Sequence, residues 1–345
     1  MDDLTNDRAR LPGNFFVPEA VAGLIWAYRF REGYPPEPLQ PGEVTAALAA
    51  EDGWLWLHFN LTDRLAQEWI GSFEPLPEQA RKPFLALDDT LGLHAADHVV
   101  YGVIADFHGE LGEETNQIGR LRFALTDRLV ISGRRRPLRS VDEIRRALQG
   151  GLNVPVAGAL IETIIDRFCD AVARRIAVMT DELDAAEDDV VDDRATNERL
   201  RVVEVRRTMV RIHRQLYSLA NVMRKWDGRP NETAPPTLHI AAGRLAARLE
   251  SLDHDIQTVQ DRARLLQEEV AARLADDTNR SLRALSILTA LLLPGSLVAS
   301  IFGMNTHDLP FLDTPNGFWY AAVVGVIATA LFYWILKKVG AGLRL

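Results

Sequence analysis

Residues 285–305 read LSILTALLLPGSLVASIFGMN, and residues 317–336 read GFWYAAVVGVIATALFYWIL. From Leu285 to Met304 and again from Gly317 to Leu336 there is no charged side chain. Each run as a helix reaches about 30 Å, the hydrocarbon thickness of a bilayer. A backbone in lipid must satisfy its own hydrogen bonds, so both runs are expected as transmembrane helices joined by the short loop 305–316. The flanking residues orient this hairpin. Arg273, Arg280 and Arg283 precede it, Lys337, Lys338 and Arg344 follow it, and the loop has no Lys or Arg. Basic residues stay on the cytoplasmic side, so both termini are expected there, with His307, Asp308 and Asp313 outside. Trp319 and Tyr320 near one end of the second run, and Tyr333 and Trp334 near the other, suit the two membrane interfaces.

Working outward, the remainder reads as a soluble protein. The chain has 345 residues, of which 47% are hydrophobic and 25% charged, with a net charge of −9. The acidic balance argues against nucleic acid as a partner. One cysteine, Cys169, rules out an internal disulfide and any multi-cysteine metal site, in keeping with a reducing compartment. The acidic start, with Asp2, Asp3 and Asp7, is not a secretory signal. P-loop, HExxH and GxSxG patterns are missing, so neither ATP-driven pumping nor hydrolysis has visible machinery, and no enzyme activity is expected.

Residues 1–20 read as an irregular arm. Branched and aromatic residues predict strands over Ala22–Phe30, Trp54–Phe59, Val99–Phe107, Ile118–Leu125 and Arg128–Ser132. The prolines at 35, 36, 38 and 41 predict a loop before a short helix over Val44–Ala50. Further helices are expected after a Thr62 cap, over Pro77–Leu87, and from Ser140 with Glu143 completing a capping box, stopped by Gly150-Gly151. Alternating strands and helices imply an α/β domain over 1–150.

Beyond Pro155 the apolar spacing becomes helical. It runs from Ile161 through Met179 towards Val191, from Asn197 to Trp226, and from Leu238 onward. No Gly or Pro interrupts Arg244–Leu293, so the third helix is expected to enter the first span directly, with on the order of 75 Å of unbroken helix. A helix that long and amphipathic calls for partners, which makes 151–284 a stalk in an oligomer. Two membrane helices per chain cannot enclose a hydrated path, whereas several copies around an axis can.

Inside the first span, Ser286, Thr289, Leu293, Ser296 and Ser300 share one helical face, and Asn279 lies seven residues before Ser286. Hydroxyl and amide oxygens suit a cation that keeps part of its water. Small residues on a face equally suit close helix packing, so both readings stand. Leu282, Leu285 and Leu293 are candidates for apolar constrictions.

A span ending in Ile-Phe-Gly303-Met304-Asn305, with Pro294 within it, a short outer loop and one last span with a Lys-rich end, resembles the CorA family of divalent-cation transporters. The resemblance covers essentially the whole chain. It implies a homopentamer of α+β membrane type, with a cytoplasmic N-terminal α/β domain, long stalk helices and two C-terminal transmembrane helices. It places the path along Asn279, Leu282, Leu285, Leu293, Ser296 and Asn305, with Asn305 near the outer mouth, and Thr289 and Ser300 of the hydroxyl face and Gly303 and Met304 of the motif complete the candidate lining. Residues 285–304 would be the pore helix, 305–316 the outer loop, 317–336 the second span and 337–345 a basic cytoplasmic tail. Trp54-Leu-Trp-Leu-His-Phe-Asn-Leu and Ser132-Gly-Arg-Arg-Arg-Pro-Leu-Arg-Ser-Val-Asp resemble the zinc-transporting ZntB branch. The magnesium branch has an acidic Met-Pro-Glu-Leu element where this chain has Thr306-His-Asp-Leu-Pro-Phe. Imidazole is a common zinc ligand and a poor magnesium one, which makes Asn305, His307 and Asp308 candidates for transient metal contact.

The expectation is thus an inner-membrane transporter, with membrane lipid and divalent cations as partners. Zinc is the cargo and no cofactor is bound permanently. The alternatives are a magnesium, cobalt or nickel path of the same family, and a membrane-anchored metal sensor. The acidic run Asp181, Glu182, Asp184, Glu187, Asp188, Asp189, Asp192, Asp193 fits either a cation-concentrating field or a solvated helical tip. His94, His98 and His108 are read as structural, Cys169 as core, and Arg134–Arg136 as surface or interdomain contacts.

Overall fold

The computed structural model describes residues 10–11, 15–16, 21–50, 52–109, 115–191, 198–228, 236–304 and 316–338. In chain order the strands are β1 (Arg10–Leu11), β2 (Phe15–Phe16), β3 (Leu24–Phe30), β4 (Glu37–Leu39), β5 (Trp54–Asn60), β6 (Gly92–Ala96), β7 (Val99–Phe107), β8 (Ile118–Leu125) and β9 (Leu129–Arg134). The helices are α1 (Val44–Ala49), α2 (Arg64–Ser72), α3 (Glu78–Leu85), α4 (Arg139–Gln149), α5 (Ala157–Val191), α6 (Glu198–Asp227), α7 (Pro236–Gly303) and α8 (Gly317–Lys338). The chain divides into two units, Met1–Leu266 and Gln267–Leu345.

In the first unit, seven strands pair in the order β4-β3-β5-β9-β8-β7-β6. β5 and β9 run parallel and the other pairs of this sheet antiparallel. Side chains alternate across a strand, which divides the sheet into two buried faces. Leu55, Leu57, Phe59, Leu129 and Ile131 pack in one core with Val44 and Ala47 of α1, Ala66, Trp69 and Ile70 of α2, and Ala80 and Phe84 of α3. The alternate residues Trp54, Trp56, His58, Val130 and Ser132 belong to the other face and are equally buried. There β3 and β5 match aromatic rings across the strands. Phe30 stacks on Trp54 at 3.8 Å, Tyr28 on Trp56 at 6.2 Å and Trp26 on His58 at 4.2 Å, in the register of the ladder itself.

Several local expectations are corrected. The proline-rich stretch contains the edge strand β4, because Pro38 sits where the sheet ends and its missing N–H is no loss. Asp63, not Thr62, caps α2. Its Oδ1 accepts the Leu65 N–H at 2.9 Å, while the Thr62 hydroxyl turns back to Asn60 Oδ1 at 2.8 Å. The expected capping box at Ser140 does not form, because Ser140 lies inside the first turn of α4. Asp106 of β7 meets that helix end instead, accepting Ser140 N–H at 3.0 Å and Ser140 Oγ–H at 2.6 Å, and Phe107 N–H at 2.8 Å. The irregular arm includes the short β1–β2 pair. His94 lies on the strand β6 that spacing missed, stacked on Tyr101, and His98 sits in the tight turn after it with φ +62°.

α5, α6 and α7 bury one stripe each, including Ile164, Phe168 and Met179, then Val205, Met209 and Leu216, then Leu245, Leu249 and Ile256. On α7 that stripe ends at Val270, and Leu274 one turn further is half-exposed. Arginines of α7 reach acids of α5 at one fixed offset. Arg244 pairs with Asp166, Arg248 with Asp170 and Arg262 with Asp184, each 78 residues apart. A constant offset means that the two helices run parallel and in step. Arg244 also pairs with Glu162, Arg248 with Asp166 and Arg262 with Glu187.

Candidate functional site

In the second unit, α7 continues through Pro294 to Gly303, and α8 packs beside it. The two helices meet across Gly295 and Gly325. A Cβ on Gly295 would lie 3.7 Å from Thr329 Oγ1, and one on Gly325 would lie 3.8 Å from Val298 Cγ1, so even an alanine at either position would meet the partner helix at ordinary contact distance. Ile287, Ala290, Pro294, Gly295, Val298 and Phe302 are the partly covered residues of this part of α7.

The hydroxyl stripe lies elsewhere. At about 100° per residue, Asn279, Leu282, Leu285, Ser286, Thr289, Leu293, Ser296, Ser300, Gly303 and Met304 fall within an arc of roughly 120°. All ten are exposed, and the partly covered residues cluster on the far side of the helix. Within one chain, therefore, the serines and threonine do not serve the α7–α8 contact. Thr289 Oγ donates to the Leu285 carbonyl at 2.8 Å, and Ser296 Oγ to the Leu293 carbonyl at 3.0 Å. With each hydrogen turned onto the helix, the oxygen lone pairs are left to face outward. That is the polarity a hydrated cation needs.

Between residues 284 and 303 of α7 and along α8 up to Ile335, the exposed side chains outside the arc are apolar or aromatic, among them Leu288, Leu292 and Ile301 on α7 and Val323, Val326, Ile327 and Leu331 on α8, and Leu297 lies at the edge of the arc. So large an uncovered apolar surface fits a bilayer, and both helices are long and apolar enough to cross one. At the far end of α7, Met304 N–H still donates to the Ile301 carbonyl at 3.3 Å. Asn305, His307 and Asp308 lie outside the described residues, as do Asp192, Asp193 and Arg344.

The soluble candidates for metal separate. Asp184 and Glu187 are held by Arg262, and Asp189 by Arg201, so part of the acidic run is neutralised by neighbouring helices. No group of three or more His, Cys, Asp or Glu side chains that could hold a metal occurs among the described residues. His108 is half-buried, and burial lowers its pKa. Cys169 is buried on α5 and its thiol is pushed up to about 12 by burial, which makes it a core side chain rather than a nucleophile. Arg135 donates to the Ala86 carbonyl at 2.7 Å. Arg134 lies over the Trp26 ring and 3.9 Å from Asp142. The arrangement around Trp26, His58 and Ser132 was not anticipated as a site. Its signal is the alternation Trp54, Trp56, His58, which puts a histidine in line with two buried tryptophans.

The family profile described as "CorA-like Mg2+ transporter protein" matches residues 51–338. The chain is 28% identical over 296 residues to the "Divalent cation transporter CmaX" of Pseudomonas aeruginosa, covering 82% of this chain and 86% of that one. It is 23% identical over 287 residues to the "Zinc transport protein ZntB" of Pectobacterium carotovorum, again covering 82% and 86%. In three dimensions it superposes on full-length CmaX with a TM-score of 0.77 at 23% identity, over 92% of this chain and 97% of that one. The CorA magnesium transporter of Methanocaldococcus jannaschii gives 0.73 at 14% identity, over 91% and 98%.

Proposed function

This chain belongs to the CorA family of divalent-cation transporters, and from that premise we propose that it moves Zn2+ across the inner membrane through a path lined by α7 in a homopentamer. The family's members are transporters rather than enzymes, and this chain is a divalent-cation transporter. The observation that carries the finer reading is the exposed arc of α7. Its hydroxyl and amide oxygens run from Asn279 to Ser300 on the side turned away from α8, with Leu282, Leu285 and Leu293 between them. One chain offers a single wall, and a ring of copies closes it. Gly303, Met304 and Asn305 stand at its outer end, with His307 and Asp308 as further transient contacts.

In this reading 1–150 is the cytoplasmic α/β domain, 151–284 the stalk, 285–304 and 317–336 the spans, and 305–316 the outer loop. The basic tail 337–345 and the N-terminus are both cytoplasmic. The cation is cargo and passes without a permanently bound cofactor. Zinc is favoured by the ZntB relatives and by His307, since imidazole prefers zinc. Magnesium is the second reading, because hydroxyl and amide oxygens are hard ligands that suit a hydrated Mg2+ equally well.

The test is flux into liposomes containing the purified protein and an ion-sensitive dye. Zinc entry above that of empty vesicles is expected. Asn305→Ala and Ser300→Val should each lower it about tenfold, the scale of losing one or two polar contacts to the ion. Robust magnesium entry with no zinc entry would reverse the choice of ion. Undiminished zinc flux in both variants would remove the α7 arc from the path.

A further inference from the structure

The basic run at the end of β9 has no part in the cation path, yet it stands at a distinctive place in the sheet. β5 and β9 are the parallel pair, and the helices that follow them cover opposite faces. α2 after β5 lies on the Leu57 and Ile131 side, whereas α4 after β9 brings Asp142 and Arg145 to the side of Trp26 and Arg134. In open α/β sheets, ligands bind in the crevice outside the carboxyl ends of parallel strands where the connections part in this way. Asn60 and Arg134 are register partners at that end.

The side chains gathered there are donors. Trp56 Nε1–H donates to Ser132 Oγ at 2.7 Å, and Ser132 Oγ lies 2.7 Å from His58 Nδ1. The serine oxygen accepts from the indole, and its one hydrogen is free to point to Nδ1, the tautomer that places the ring hydrogen on Nε2. His58 is fully buried, and its Nε2 meets no hydrogen-bond partner. The same holds for Trp26 Nε1 and Arg145 Nε. Around the Trp26 ring centre, the His58 ring lies at 4.2 Å, the Arg145 guanidinium at 5.1 Å and the Arg134 guanidinium at 5.8 Å. Asp142 is the carboxylate beside them, 3.9 Å from Arg134. Buried donors without acceptors are rare in folded proteins. A single water oxygen accepts two hydrogen bonds, whereas a phosphate-type anion accepts from three or more donors at once. Trp26 and Arg145 are half-buried, so the cluster has an edge open to solvent.

We propose that the side-chain cluster at the carboxyl ends of β5 and β9 binds a phosphate-type oxyanion, received by Trp26 Nε1–H, His58 Nε2–H and Arg145, with Arg134 adding charge. The ligand is inorganic phosphate or the phosphate group of a small monoester. This inference is independent of which cation is carried and of the number of subunits.

Calorimetric titration of the full-length protein in detergent tests it, using sodium phosphate, glycerol 3-phosphate and sodium chloride at one ionic strength. One phosphate per chain is expected. Arg145→Gln should weaken it about tenfold, as for loss of a charge-assisted hydrogen bond. His58→Phe, which keeps the stack and removes the donor, should weaken it similarly. Arg136→Gln, at an exposed neighbouring arginine, should change it less than about twofold if the effect is local. Tighter binding of the monoester would assign a phosphorylated metabolite, and equal or weaker binding would assign free phosphate. Should His58→Phe fail to fold, the half-buried Arg145 carries the test. Absence of phosphate binding at millimolar concentration, equal binding of chloride, or an equal loss in Arg136→Gln would each overturn the proposal.

Discussion

Asp106 shows how a residue can be placed by the fold where sequence proposes another. A serine followed three positions later by glutamate predicts a capping box, but the N–H and hydroxyl of Ser140 are taken by a carboxylate from β7. No local pattern reveals a cap supplied from 34 residues away. Burial raises the pKa of Asp106 from 3.8 to about 7, against the opposing pull of its hydrogen bonds from Ser140 and Phe107. A carboxyl with a raised folded pKa contributes stability that is full below its unfolded value and is lost as pH rises through the folded one. The full-length protein should therefore lose stability relative to Asp106→Asn between pH 4 and 7, by on the order of 4 kcal/mol at most. Thermal unfolding of both in detergent across that range would show it, and parallel pH profiles would refute it.

At the scale of elements, helices were more legible than strands. The 3.6-residue period gave α5, α6 and α7 close to their observed limits, because each buries a single stripe. β4 and β6 escaped notice because edge strands bury little, and β6 has no strongly apolar pattern. The apolar runs predicted both membrane helices, and the hydroxyl face was visible from spacing alone. That this face lies away from α8 was not, since it depends on which side Gly295 and Gly325 turn to each other. The ion pairs between α5 and α7 were likewise hidden, although every member is plain in the sequence. Arg248 bridges Asp166 and Asp170 while about one-third exposed, so solvent screens the gain. Arg248→Ala is expected to cost about 1 kcal/mol or less, with added salt narrowing the difference. Chemical denaturation at low and high ionic strength measures both, and a loss that salt leaves untouched would point to packing rather than charge.

For the whole molecule, the sequence carried the fold class and family because the hairpin, the Gly303-Met304-Asn305 ending and the long preceding helix occur together. What it left open is set by other copies of the chain and by the passing ion, neither of which a single sequence contains. The CorA resemblance implies five copies, and one α7 arc forms only part of a wall. Native mass measurement in mild detergent should give a species of five chains, and a stable monomer or dimer would sink the shared path.

The α7 arc also carries a torsional consequence. Neighbouring positions on a helix lie about 100° apart, so turning α7 by one position exchanges Ser296 for Leu297 and Ser300 for Ile301. At these two levels the wall would change from wettable to dry without any change in its length, and dewetting of such a ring stops ions. In the proposed path, rotation of α7 in each copy would suffice to open and close the route. With Cys169 buried, Ser296→Cys offers a single reporter. A water-soluble thiol reagent entering the path should label it during flux and spare it in the non-conducting state, and equal labelling in both would exclude rotation as the gate.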